Sequence, residues 1–117
     1  MYQFGSRDGV PMTIPMNLQL CFTYGLAAAK QGDVPTMDTT AYAYNAGIGV
    51  EQNYTSAFQW YTKAAGKEQR NAQCNLGLFY EHGRGEVEID LVQAMHWYNK
   101  SAAQEYQPAI DTVERLS

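Results

Sequence analysis

The search for catalytic chemistry in this sequence begins with its two histidines. Any nucleophile–histidine–carboxylate triad in the 117-residue chain would have to use His82 or His96. The serines that a triad would recruit are not in a strand–turn–helix setting that exposes a nucleophile: Ser6, Ser56, Ser101 and Ser117. The sequence therefore predicts no catalytic residue. An enzyme is the weakest of the functional classes open to the chain.

Two Gly-x-Gly segments, residues 47–49 and 83–85, resemble the beginnings of phosphate-binding loops. Neither follows a predicted strand, and neither continues to a third glycine or to Gly-Lys-Ser/Thr. Acidic side chains cluster at Glu86, Glu88 and Asp90, but solvation and helix capping account for them. No histidine–carboxylate spacing typical of a metal site accompanies them. We therefore expect neither a cofactor nor a metal ion.

The two cysteines also lack the spacing of a functional site. Cys21 and Cys74 lie 53 residues apart, on helices that we expect not to be adjacent. Two such thiols form neither a disulfide framework nor a zinc site. The sequence predicts two half-buried free thiols.

Composition and charge limit the kinds of partner and the cellular location that we expect. The net charge is −4 and the eight Lys and Arg are spread singly, which argues against nucleic acid as a partner. The apolar stretch around residues 20–29 is broken by polar residues and glycine and is too short to span a membrane, so we expect no membrane insertion. Residues 1–11 do not have the pattern of a signal peptide. We expect one cytoplasmic domain, or a periplasmic one if a leader has been removed.

The clearest pattern in the sequence is an internal repeat. Residues 57–65 and 94–102 align at a spacing of 37, with Ala, Trp, Tyr, Lys and Ala in register. Residues 44–49 and 80–85 align at a spacing of 36. A degenerate copy precedes these blocks, and a half copy follows them, with Ala109 37 residues after Ala72. The repeat covers nearly the whole chain, as in solenoid proteins.

Each repeat unit has the sequence signals of two helices. Glycines at 47 and 83 suit the left-handed turn that follows a helix, and Gly5 holds the same place in the degenerate copy. Asn53 and Asp90 are suited to capping the start of the second helix. The first helix of one unit carries an amphipathic stripe of Ala72, Leu76, Phe79 and Tyr80.

These signals predict six helices preceded by a helical stub. Small residues at positions such as Ala57 and Ala64 would let neighbouring helices approach closely. We expect Trp60 and Trp97 to fill the space between helix layers, where replacement by alanine would cost about 3–5 kcal/mol. The helices are expected near residues 16–31, 35–46, 54–67, 71–82, 91–104 and 107–116.

The spacing of both helices resembles the Sel-one-like repeat, a helix-pair branch of the tetratricopeptide superfamily. The matching positions are Ala72, Leu76, Gly77, Tyr80, Gly83, Gly85, Asp90, Ala94, Trp97, Tyr98, Lys100, Ser101 and Ala102. The resemblance implies an all-α protein, a right-handed α-solenoid of antiparallel helix pairs. It divides the chain into a partial repeat (1–33), two repeats (34–69 and 70–106) and a terminal capping helix (107–117). Some secreted members of this family are rich in cysteine. This chain has only two cysteines, far apart in sequence, and so differs from that branch.

The same resemblance implies a function and a binding face. Family members, common in bacteria, mostly act as adaptors and scaffolds. We therefore expect a non-catalytic scaffold that holds a protein or peptide on its concave face. In the related tetratricopeptide arrangement, first helices line that face, which places there Asp38, Tyr42, Asn45, Cys74, Leu78, Glu81, His82, Asp111 and Arg115. Exposed aromatic and acidic residues favour a partner with a basic or amphipathic segment.

Two questions stay open at this point. An immunity protein that neutralises a secreted bacterial toxin is an alternative function, and the sequence barely separates it from a general scaffold. The chain starts at Met1 and Tyr2, in what would be the last turn of a first helix. We therefore expect an uncovered apolar surface, and either a homodimer through the N-terminal end or a fragment of a longer array.

Overall fold

The computed structural model describes residues 16–117, and this part of the chain consists of six helices without a strand. The predicted six helices are confirmed, each with ends within two residues of expectation. The predicted helical stub, with Gly5, lies outside the described residues. The helices are α1 (Met16–Lys30), α2 (Val34–Ala46), α3 (Tyr54–Gly66), α4 (Arg70–His82), α5 (Leu91–Ala102) and α6 (Gln107–Leu116).

Side-chain caps begin the helices where the sequence indicated. Asn53 accepts a hydrogen bond from the Ser56 backbone N–H at 3.0 Å, and Asp90 accepts one from Gln93 at 3.1 Å. Each bond satisfies one of the backbone donors that a helix leaves free in its first turn. Asp33 caps α2 in the same way. Gln69 caps α4 as well, so local side-chain chemistry fixes the starts of four helices.

Glycine ends the first helix of each full repeat. Gly47 and Gly83 have φ values of 74° and 69°, in the left-handed region that glycine adopts without a steric penalty. Their backbone N–H groups donate at 2.8 Å to the carbonyls of Ala43 and Phe79. The expected role of these glycines as helix terminators is confirmed.

The second glycine of each Gly-x-Gly segment brings two repeats close together. A Cβ at Gly85 would lie 2.8 Å from the backbone oxygen of Tyr54, at the start of α3. A Cβ at Gly49 would likewise collide with the backbone oxygen of Leu18 in α1. Each segment is therefore a contact between consecutive helix pairs as well as a helix terminator.

Each helix packs mainly on its neighbours in sequence, which gives an α-solenoid of antiparallel helix pairs. Small side chains occupy the closest approaches, and they are almost fully buried: Ala29, Ala41, Ala57, Ala64, Ala65, Ala72, Ala94 and Ala109. Ser101, at the position of a packing alanine, is also buried and donates to the Arg70 carbonyl at 2.8 Å. A Cβ at Gly77 would lie 2.6 Å from Cε1 of Tyr98, so the glycine makes room for that ring.

The aromatic residues at the centre of the core differ from those predicted. Trp60 and Trp97 are only partly buried against the core, and Lys63 and Lys100 lie over their rings. The residue that follows each tryptophan is buried instead: Tyr61 is 1% exposed and Tyr98 is 0% exposed. One residue turns a helix by about 100°, so adjacent aromatic residues cannot both face the core.

The cysteines also differ from the prediction. Both are free, but Cys21 is exposed on α1 and Cys74 is buried on α4, so neither is half-buried. Burial raises the pKa of the Cys74 thiol to about 11. A thiol with a raised pKa is a poor nucleophile. Cys74 is therefore a side chain of the core and not a reactive group.

Candidate functional site

The predicted site residues lie on α2, α4 and α6, the first helices of their pairs. We call the surface that they form the first-helix face. Tyr42 is 52% exposed, and His82, Asp111 and Arg115 are also exposed. Cys74 lies in the core, packed with Ala94, Tyr98 and Ala109, and does not offer a contact to a partner. The remaining four are half-buried: Asp38, Asn45, Leu78 and Glu81.

Glu81 connects three helices at this face. Its Oε1 atom accepts a hydrogen bond from the Tyr98 hydroxyl on α5 at 2.7 Å. Its Oε2 atom accepts from Arg115 Nη2 on α6 at 3.2 Å. His82 Nε2 lies 4.0 Å from the same carboxylate. The side chain of Glu81, only 11% exposed, is therefore the centre of a polar network that joins α4, α5 and α6.

The network changes the acidity of its members. Burial alone would raise the pKa of Glu81, but the hydrogen bonds from Tyr98 and Arg115 and the Arg115 charge outweigh it and hold that pKa below its ordinary value. Burial, and then the hydrogen bond to Glu81, raise the pKa of Tyr98. Glu81 is therefore ionised and occupied by its own partners at neutral pH.

The preceding repeat contains the same place with different residues. Tyr61 and Asn45 correspond to Tyr98 and Glu81 at the repeat spacings of 37 and 36. Among residues 16–117, three buried atoms here have no hydrogen-bond partner: Asp38 Oδ1, Asn45 Oδ1 and the Tyr61 hydroxyl. A buried polar group without a partner costs about 1–3 kcal/mol, so three such atoms in one repeat are unusual. We call Asp38, Asn45 and Tyr61 the first-repeat polar site.

The pKa values of Asp38 and Tyr61 are both raised. Burial is the first cause that raises the pKa of Tyr61, and the charge of Asp38 is the second. Burial likewise raises the pKa of Asp38. Tyr106, at the start of α6, has a pKa raised by burial and also by the charges of Cys74 and Asp38. The charge of Asp38 therefore acts on two phenols, those of Tyr61 and Tyr106.

The helix that follows each site also differs between the repeats. Arg115 on α6 supplies the cation that Glu81 binds. The residue of α4 at the corresponding place is Leu78, 37 positions earlier, and its side chain cannot donate a hydrogen bond. The first repeat therefore has no counterpart of Arg115, although the charge of Arg84 acts on Tyr61.

Sequence reasoning missed Tyr61, Tyr98 and Tyr106 as members of this face. The sequence did offer a signal for Tyr61 and Tyr98, because they align within the repeat. The neighbouring tryptophans are larger and were expected to fill the core instead. The pairing of Glu81 with Arg115 spans 34 residues and leaves no local pattern in the sequence.

A second, apolar feature lies between α1 and α2. It is a groove of about 90 Å³ lined by residues that include Leu18, Phe22, Ala43 and Ile48. Nearby on α1, large side chains are exposed, including Met16 at 69% and Tyr24 at 71%, together with Leu20 at 46%. The lining of the groove also includes Thr39 and Thr40 of α2.

Residues 16–117 contain neither of two further kinds of site. No group of three or more His, Cys, Asp or Glu side chains there could hold a metal ion. No helix in that range has both the length and the apolar character needed to cross a membrane.

Known proteins share this architecture and sequence pattern. The chitin synthase regulator SKT5 of Saccharomyces cerevisiae is 36% identical over 101 residues, which cover 85% of this chain but 14% of the yeast protein. This chain thus spans a small part of that relative.

Solved structures of bacterial repeat proteins are similar as well. A Sel1 repeat protein from Oxalobacter formigenes superposes with a TM-score of 0.73 at 37% identity, over 79% of this chain and 36% of that one. The protective antigen c5321 of uropathogenic Escherichia coli gives 0.76 at 35% identity, over 79% and 20%. Cysteine-rich protein B of Helicobacter pylori gives 0.74 at 23% identity, over 80% and 70%, a likeness of fold alone.

The family assignment rests on a match along most of the chain. The Sel1 repeat model matches residues 1–33, 40–67 and 70–106. Sel1 repeat proteins are generally protein-interaction scaffolds, typically without catalytic activity. With its helix pairs, its glycine terminators and its repeated core tyrosines, the chain belongs to the Sel1 repeat family.

Proposed function

We propose that this chain is a non-catalytic interaction module, with residues 34–69 and 70–106 as its full repeats. It holds a partner protein or peptide on the first-helix face. The partner presents a basic or amphipathic segment. The observation that carries this proposal is Tyr42, an aromatic side chain that is 52% exposed on α2, the helix whose Asp38 and Asn45 Oδ1 atoms have no hydrogen-bond partner among residues 16–117.

The composition of the face supports this kind of partner. Exposed tyrosines offer a large contact area at a small cost in side-chain entropy, and they often dominate binding energy. Asp38 and Asp111 add negative charge, and the chain as a whole carries −4. A basic segment would approach such a surface faster than a neutral one.

The general character of the family also supports an interaction role. The yeast relative is named as a regulator of another protein, chitin synthase. That name applies to the yeast protein, of which this chain covers only a small part. The comparison favours a binding function without indicating which partner this chain has.

A peptide selection tests the proposal. A display library of random twelve-residue peptides would be selected against the whole chain, and the best peptides measured by fluorescence anisotropy. Tyr42→Ala should weaken their binding by about 2 kcal/mol or more, because a buried aromatic anchor is lost. Tyr24→Ala removes a more exposed tyrosine from α1 and should leave binding unchanged. Equal binding to wild type and Tyr42→Ala would show that the ligand uses another surface.

A further inference from the structure

The groove between α1 and α2 lies where the next junction of the array, between α3 and α4, has a packed core. Three of its lining residues correspond, at the repeat spacing of 36, to large side chains of that junction: Gly25 to Tyr61, Thr40 to Leu76 and Ala43 to Phe79. Those three large side chains are almost fully buried, and the ring centroids of Tyr61 and Phe79 lie 5.6 Å apart. The groove therefore takes the place of rings that smaller residues do not supply.

The groove is open to solvent on one side. Thr40 and Ala43 are buried, whereas Leu18 and Ile48 are 40% and 42% exposed and Cys21 is exposed as well. Its volume of about 90 Å³ is well above the roughly 10–15 Å³ that one water molecule requires. None of its eight lining residues among 16–117 is charged. An uncharged side chain from outside can therefore enter it.

The helix that lines the groove also exposes a ring. Tyr24 directly precedes Gly25 and lies one turn after Cys21, and its side chain is 71% exposed. A tyrosine ring is mostly apolar and carries one hydroxyl, which the exposed hydroxyl of Thr39 in the groove lining can bond. One short surface thus carries both a ring and a groove for a ring. Two copies of such a surface can satisfy each other across a two-fold axis.

The charge of α1 favours a second copy of this chain as the occupant. The chain carries −4, so two copies repel each other over most of their surfaces. From Met16 to Ala29, however, α1 has no charged residue, and Lys30 is its last residue. Two α1 helices can therefore meet without burying a charge or placing like charges together.

The register of such a pair follows from the bounds of α1. When two copies of Met16–Lys30 lie antiparallel and overlap completely, Tyr24 of each stands opposite residue 22 of the other. That position lies between Cys21 and Gly25, which both line the groove. Full overlap of the helix is thus compatible with a mutual exchange of tyrosine rings.

We propose that two copies of this chain pair through α1, with Tyr24 of each copy inserted into the α1–α2 groove of the other. The inserted ring lies over Gly25, as a substitute for the ring that Tyr61 provides in the next repeat. This proposal goes beyond the proposed function, because it uses α1 and the groove and not Tyr42. Its failure would leave the proposed function standing.

Sedimentation velocity of the whole chain over a series of concentrations tests the pairing. Wild type should form a dimer that dissociates on dilution. Tyr24→Ala should raise the dissociation constant at least about tenfold, because both copies lose the inserted ring. Tyr24→Phe keeps the ring and should dimerise nearly as wild type does. Tyr42→Ala removes an exposed tyrosine from α2 and is the matched control without an effect.

A second variant fills the groove from within. A Cβ at Gly25 would lie 4.0 Å from Oγ1 of Thr40, an ordinary contact, so Gly25→Leu should fold and block the groove. Its own dimer should be weakened as much as that of Tyr24→Ala. An equal mixture of the two variants should dimerise more strongly than either alone, because the mixed pair keeps one ring and one open groove. A contact without exchanged rings would show no such gain.

The reactivity of Cys21 reports on the groove without a mutation. Cys21 is exposed and Cys74 is buried, so dithionitrobenzoate should react first with Cys21. The rate of this reaction should fall as the protein concentration rises through the range of dimerisation, because the inserted ring covers the thiol. If Gly25→Leu does not fold, this rate and the two Tyr24 variants decide the question.

Several outcomes would overturn the proposal. One is a wild-type protein that sediments as a single chain at every concentration. Another is a dimer that Tyr24→Ala or a folded Gly25→Leu leaves as strong as in wild type, since α1 would then pair without ring exchange. A reaction of Cys21 that is slow at every concentration would show that the groove is covered within one chain.

Discussion

The hydroxyl of Tyr98 lies 2.7 Å from Oε1 of Glu81, whereas the hydroxyl of Tyr61, at the same place of the preceding repeat, has no partner among residues 16–117. Both rings are buried to the same degree. The two tyrosines therefore form a natural pair for comparing a satisfied with an unsatisfied buried hydroxyl group in one protein.

Removing the two hydroxyls should have opposite effects. Tyr98→Phe breaks a hydrogen bond to a charged group and should destabilise the fold by about 1.5–3 kcal/mol. Tyr61→Phe removes a buried group that bonds to nothing in this range and should leave stability unchanged or raise it by up to about 1 kcal/mol. Urea denaturation followed by circular dichroism measures both. Similar losses in the two variants would show that Tyr61 has a partner.

Glu81 should make the protein sensitive to acid. Because its pKa in the fold lies below the ordinary value of 4.5, its contribution is complete above about that pH and is lost as the pH falls through the folded-state pKa. In Glu81→Gln, stability should therefore decline less than in wild type between about pH 6 and pH 3. The control is Glu114→Gln, an exposed carboxyl on α6, which should leave the wild-type profile in place.

Asp38 should behave with the opposite sign. Its pKa is raised by burial, so the folded state holds the proton more tightly than the unfolded state does. The ionised form is therefore unfavourable near neutral pH, and Asp38→Asn should raise the melting temperature there. The gain should disappear as the pH falls below the ordinary value of 3.8, where both states are protonated. Melting curves for wild type and variant across this range would show a constant difference if Asp38 were unperturbed.

Gly77 should tolerate no side chain. Gly77→Ala places a Cβ 2.6 Å from the Tyr98 ring, and the resulting overpacking should cost about 1–3 kcal/mol. Gly66→Ala is the matched control, because a Cβ there meets nothing within 4 Å at the end of α3. That variant should be neutral or gain up to about 1 kcal/mol from the better helix propensity of alanine. A stable Gly77→Ala protein would mean that the Tyr98 ring can move.

The apolar residues on α1 predict self-association. Met16, Leu20 and Tyr24 are 69%, 46% and 71% exposed, and such patches on proteins commonly mark interfaces. We expect light scattering at high concentration to detect a dimer that weakens when Leu20 is changed to Glu. A mass equal to that of one chain at every concentration would contradict this expectation.

Local chemistry made most of the fold predictable. The caps at Asn53 and Asp90 and the terminators at Gly47 and Gly83 act within a few residues, so their types and positions indicate helix ends directly. The choice between Trp60 and Tyr61 as the central core residue was not predictable. Both align in the repeat, and only the rotation of α3 against its neighbours decides which ring is buried.

The candidate site was predictable in its position on the helices but not in its chemistry. The partners of Glu81 lie 17 and 34 residues away, so its network depends on the packing of three helices. Whether the Tyr61 hydroxyl has a hydrogen-bond partner depends on how the helices of the repeat pack, and no local sequence pattern indicates it. The sequence does show that Leu78 stands at the repeat position that corresponds to Arg115.

The contact of Gly85 with the Tyr54 backbone has a consequence for the geometry of the array. Bare backbone meets backbone there, as it does where Gly49 meets Leu18, so no side chain acts as a spacer between consecutive helix pairs. Consecutive helix pairs therefore approach closely at these two points, and a larger residue there would act as a wedge that moves the two pairs apart. Such a wedge would change the distance along the array between Tyr42 and Arg115. The curvature of the array therefore depends on the absence of a Cβ atom at Gly49 and at Gly85. A ligand that contacts several repeats at once would bind only to an array with the right curvature.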